Sequence, residues 1–126
     1  MLETAREILN YAYEEFDKAL KLNDQLLYRN AADKAFSALI IAINEYIRSI
    51  KGVVPGSHAE RRRLLRLIGR EDLRALYSDL MKTLHEEAFY EDIYQPDEVR
   101  YAMDKVRKVI EELESELRSR SSSQIT

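Results

Sequence analysis

Two short stretches hold the residues of this chain best suited to chemistry. The first is Leu84-His85-Glu86-Glu87-Ala88-Phe89-Tyr90-Glu91-Asp92, which gathers one of only two histidines, four carboxylates and two aromatics at the end of a helix. Aromatic bodies seek burial and carboxylates resist it, so such a block edges a pocket or marks where a core meets water. As a pocket, His85, Phe89 and Tyr90 would supply an apolar wall with a polar ring edge, and His85 and Glu91 are candidates for proton transfer. As a structural feature, Phe89 plugs the bundle end and His85 is a hydrogen-bonded helix-end histidine.

The second stretch begins at the other histidine. His58, Arg62 and Arg66 are four apart on one helical row, near the positive N-terminal end of their helix, and with the adjacent Arg63 they form a candidate phosphate or nucleotide cradle. His58 is also a candidate catalytic group. Between Lys51 and Arg74 the local charge is +4, against −7 elsewhere in a chain of net charge −3. A positive field of this kind attracts phosphate even on an acidic protein. Its plainer reading is an arginine-rich face paired with acids of its own chain or of a second copy.

Other chemistries lack their residues. With no cysteine there are no disulfides, thiolate nucleophiles or cysteine-held metals. Helical two-iron sites use paired Glu-x-x-His motifs, and neither histidine has a glutamate three residues earlier, so no metal is expected and no cofactor. No Walker loop, dinucleotide fingerprint or nucleophile elbow is present. Ser57 lies beside His58 in sequence, but neighbouring side chains on a helix diverge and Ser57 suits a capping role.

Positioning these residues falls to helices. The periodicity predicts an all-α, up-and-down bundle of four to five helices, with no strand-like alternation. A first helix is expected from a Thr4-x-x-Glu7 capping box to Leu22, with Ile8, Leu9, Ala12, Tyr13, Phe16, Ala19 and Leu20 as its buried stripe. The second, about Gln25 to Ile50, is apolar nearly all round, with small alanines that allow close approach. It belongs at the centre of a bundle or between two bundles, and this excess of apolar surface predicts a homodimer. Pro55-Gly56 suits a type II turn, Ser57-x-x-Glu60 a capping box, and Gly69 a helix stop. A fourth helix is expected over about Glu71 to Ala88, and a fifth from Gln95-Pro96 onward. The domain should span residues 1–118, followed by a frayed Ser-rich tail at 119–126.

At 126 residues and 45% hydrophobic composition the chain suits one domain. It has no run of about 18 apolar residues and no secretory start, so no membrane span and a cytoplasmic location are expected. Few glycines, no cysteine and 34% charged residues match the composition of thermophile proteins.

The segment Asn30-Ala31-Ala32-Asp33-Lys34-Ala35-Phe36-Ser37-Ala38, with the long helix, the Gly52 turn and Ser57-His58, resembles the centre of HEPN-like domains, the nucleotide-binding domains named for higher eukaryotes and prokaryotes. Leu84-His85 with Phe89-Tyr90-Glu91 resembles a motif of their archaeal PaREP-type relatives. The resemblance covers roughly residues 5–117. It implies a four- or five-helix bundle, often a homodimer, linked to RNA cleavage or to small nucleotidyltransferase partners in toxin–antitoxin pairs. HEPN ribonucleases carry an arginine, four to six residues, then a histidine. Here Arg48 precedes His58 by ten and Arg74 precedes His85 by eleven, so the pattern is absent. The expected function is a nucleotide- or RNA-linked binding module, with a divergent metal-independent ribonuclease and a non-catalytic interaction or dimerisation module as alternatives.

Overall fold

A computed structural model describes residues 2–90 and 95–125, with side chains over 2–88 and 95–121. All its regular structure is helical: α1 (Glu3–Leu22), α2 (Gln25–Lys51), α3 (His58–Leu67), α4 (Glu71–Leu80), a π-helical segment (Met81–Tyr90) and α5 (Pro96–Ile125). The chain is an all-α bundle.

Cap-forming residues set the helix ends. Asn23 adopts φ 50° and closes α1, and the Asp24 carboxylate accepts from the backbone N–H groups of Leu26 and Leu27 to open α2. Gly52, at φ 73°, ends α2 in a conformation that a side chain would strain. The Ser57 hydroxyl accepts from Glu60 N at 3.1 Å, and the Glu60 carboxylate reaches back to Gly56 N at 3.4 Å, so α3 opens on a near capping box.

Other expectations need correction. Thr4 does not cap α1: the helix begins at Glu3, because Leu2 is buried in the core and fixes where the chain enters. Leu20 is half exposed, while Ala19 beside it is buried as expected. Gly56 lacks the positive φ that a type II turn requires. The fourth helical stretch changes pitch at Met81, and α5 continues past Arg118 to Ile125. Leu117 is the last buried residue of α5 among those described, so the final turns are helical without contributing to the core.

Central α2 packs against α1, α3, the π-helical segment and α5. Eleven of its residues are buried, among them Ala31, Ala32, Ala35, Ala38 and Ala42, whose small side chains let neighbouring helices close in. Leu27, Ile40, Ile41 and Ile50 are partly buried against the same core, and Leu26 is exposed. Among the described residues no helix is long and apolar enough to cross a membrane.

Candidate functional site

Both histidines of the chain come together beside α2. His58 is the first residue of α3 and His85 lies in the π-helical segment, yet their rings are 6.4 Å apart, centroid to centroid. Phe36, at the middle of α2, forms the floor. It stacks on His85 at 5.2 Å and on Tyr77 at 5.8 Å, each at 22° between planes, and meets His58 at 6.0 Å.

The π-helical segment accounts for this convergence. Eight residues separate Tyr77 from His85, about 2.2 turns of α-helix, which would leave them some 80° apart around the axis. One α turn of about 3.6 residues plus one π turn of roughly 4.4 uses all eight, so both rings return to the face against Phe36. Pitch changes of this kind recur at functional sites.

Arg61 ties the group together. Only 5% exposed, it donates from Nη1 to the Tyr77 hydroxyl at 2.9 Å and approaches His58 Nδ1 at 3.2 Å, while its Nε donates to Asn44 Oδ1 at 2.7 Å. Tyr77, fully buried, is hydrogen-bonded to His58 Nδ1. Among the described residues Arg61 has no carboxylate partner. Burying a guanidinium against neutral groups alone is expensive, and a buried cation without a counter-charge is a place for an anion. On the far side of the pair, His85 Nδ1 is 3.1 Å from Asp33 Oδ1, a contact that orients the ring.

Burial, and then the charges of Arg61, His85 and Arg62, hold His58 below the ordinary histidine value of 6.5, with Glu86 opposing. Burial raises Tyr77 above 10, against the pull of Arg61, so it stays a protonated donor. A histidine depressed in the fold contributes stability that is fully present above its unfolded pKa and is lost as pH falls through the folded value. Stability is therefore expected to decline below about pH 6.5 more steeply in the wild type than in His58→Gln. Urea midpoints measured from pH 5 to 8 on both proteins check this; parallel curves would contradict it.

The remaining site residues fall as follows. Arg62 is half-buried and Arg63 exposed, and neither has an ion pair among the described residues. Arg66 leans on Glu71 at 3.5 Å, Arg74 pairs with Glu71 at 2.6 Å, and Arg70 with Asp72 and Glu116. Pairing within the chain thus neutralises the far part of the basic segment and leaves Arg62 and Arg63, near its His58 end, without an ion pair among the described residues. The side chains of Phe89 and Tyr90, and Glu91 entirely, lie outside the described residues. No group of three or more metal-binding side chains occurs among those described. Two open clefts lie elsewhere, along α5 around Tyr101 and Lys105, and neither is lined by a histidine.

A model of the archaeal PaREP1/PaREP8 family matches residues 7–110, most of the chain and all of this cluster. The chain belongs to the archaeal PaREP1/PaREP8 family. No curated protein and no solved structure matches it. For this PaREP1/PaREP8 chain the geometry adds Arg61, Tyr77, Phe36, Asn44 and Asp33 to the residues singled out in the sequence. Arg61 was within reach there, since a residue three beyond His58 shares its face as surely as one four beyond.

Proposed function

We propose that this PaREP1/PaREP8 chain is a HEPN-like nucleotide- or RNA-linked binding module, whose ligand places a phosphate at the His58–Arg61–His85 cluster. The observation that carries this reading is the buried guanidinium of Arg61, which has no carboxylate partner among the described residues and lies against His58 and Tyr77. The start of α3 adds backbone N–H groups and the positive end of the helix dipole, and Arg62 and Arg63 add charge at the rim. The homodimer, the nucleotidyltransferase partner, the toxin–antitoxin role and the cytoplasmic location belong to the same proposal and rest on the HEPN resemblance or the composition.

Binding of a single-stranded oligoribonucleotide, measured over a range of salt concentrations, tests it. Affinity should fall steeply with salt, and Arg62→Ala should reduce the salt slope by about one. Arg66→Ala, already leaning on Glu71, should change it far less. Salt-independent binding, or none, would defeat the reading.

A metal-independent ribonuclease is the second reading, favoured by the Asp33–His85 contact, which orients a histidine as a general base is oriented. Turnover that vanishes in His85→Ala while RNA binding persists would select it.

A further inference from the structure

We infer that Tyr77 and Arg61 are positioning residues that hold His58 as the neutral tautomer with its proton on Nε2, so that this ring meets a phosphoryl oxygen as a hydrogen-bond donor. The last clause rests on the proposed ligand site; the tautomer stands on the unliganded geometry alone.

Three groups converge on one small volume: Arg61 Nη1, the Tyr77 hydroxyl and His58 Nδ1. Arginine can only donate. Tyr77 accepts from Arg61 at 2.9 Å, and its own hydrogen then needs an acceptor in a fully buried position. A bare Nδ1 is that acceptor, its one lone pair taking the hydroxyl hydrogen while Arg61 Nη1 stands 3.2 Å away. The buried tyrosine hydrogen is then satisfied. A proton on Nδ1 would instead set an N–H against the Arg61 N–H and strand the tyrosine hydrogen. A fully protonated ring would add a second positive charge beside a guanidinium that already lacks a carboxylate.

The other groups facing His58 fit this assignment. Arg62 on α3 and His85 on the π-helical segment oppose a charge on the ring, Glu86 alone favours one, and from α2 comes the apolar face of Phe36. With Nδ1 engaged and Nε2 protonated, His58 has no lone pair to offer as a base. If the site turns a ligand over, the base role falls to His85, whose Nδ1 is held by the Asp33 carboxylate.

Long-range 1H–15N correlation spectra of the histidine rings, recorded at pH 7.5 without ligand, test the tautomer. Assignment is direct, because the chain has two histidines and His85→Gln removes one. The expected result is an Nε2–H ring for His58 in the wild type, replaced by a tautomer mixture in Tyr77→Phe. A dominant Nδ1–H form or an imidazolium in the wild type would overturn the inference, and so would a Tyr77→Phe spectrum unchanged from wild type. Titration with inorganic phosphate then tests the donor role. His58→Gln, which offers an amide N–H near the Nε2 position, should keep affinity within a few-fold, while His58→Asn should lose about tenfold, the worth of one hydrogen bond. Equal loss in both would overturn the donor role. No phosphate binding by the wild type would overturn the ligand-site reading, and is distinguishable because the tautomer has already been read in the unliganded protein.

Discussion

Arg61→Met is expected to remove most of the affinity for single-stranded RNA while leaving the fold nearly as stable as before. The guanidinium is buried against Asn44, Tyr77 and His58, none of them carrying a negative charge to balance it. Methionine fills similar volume without the desolvation penalty, and such replacements of buried charge are often neutral or stabilising. Against this stand the lost hydrogen bonds to Tyr77 and Asn44, so the net change should stay within about 2 kcal/mol. Binding has no such compensation. A buried charge facing an anion contributes about 2–5 kcal/mol, so affinity should fall roughly thirtyfold to several thousandfold. Calorimetric titration and urea unfolding on the same samples separate the outcomes. A large fall in the urea midpoint with unchanged affinity of the folded fraction would make Arg61 a structural residue.

Phe36→Ala should have the largest effect on stability. The ring is 1% exposed at the centre of α2, and its loss leaves a cavity under Tyr77, His85 and His58 together. Truncation of a buried phenylalanine costs about 3–5 kcal/mol, a large share of the roughly 5–15 kcal/mol that stabilises a domain. In thermal melts this corresponds to a fall of roughly 10–25 °C. Phe36→Leu keeps most of the volume and should cost less than about 1.5 kcal/mol. It removes the stacked ring, however, so the ring-proton shifts of both histidines should move even though the protein remains folded. A melting temperature lowered by only a degree or two in Phe36→Ala would contradict the packing described here.

Much of the scaffold was legible because it depends on local rules. Asn23, Asp24, Gly52 and Ser57 end or begin helices through their own backbone preferences or side-chain hydrogen bonds, and those act within a few residues. The apolar stripe of α5, from Val99 through Met103, Val106 and Ile110 to Leu117, likewise follows the 3.6-residue repeat into the core. Thr4 shows the limit of such rules: its capping signal was overridden by Leu2, whose burial is a tertiary event.

The cluster was only half legible, for a related reason. His58 and His85 stood out as rare residues, but nothing local brings an α3 residue to one twenty-seven positions later. That step depends on the pitch change after Leu80, which places Tyr77 and His85 on one face and has no marker in the sequence. The same local reasoning passed over Arg61. The four-residue row drew attention to Arg62 and Arg66, whereas Arg61, one turn from His58, is the buried cation, and Arg66 is drawn off by Glu71 across the Gly69 turn.

With just two histidines in the chain, their ring signals report on the cluster without interference from elsewhere. Titrating the wild type with a short single-stranded oligoribonucleotide at low salt, and following the ring resonances of His58 and His85, is the most direct test that this cluster is the ligand site. Both sets of resonances should move along one common saturation curve, and the same titration on Arg61→Met should leave them in place. Saturable RNA binding that shifts neither histidine would place the ligand elsewhere on the bundle and contradict the assignment.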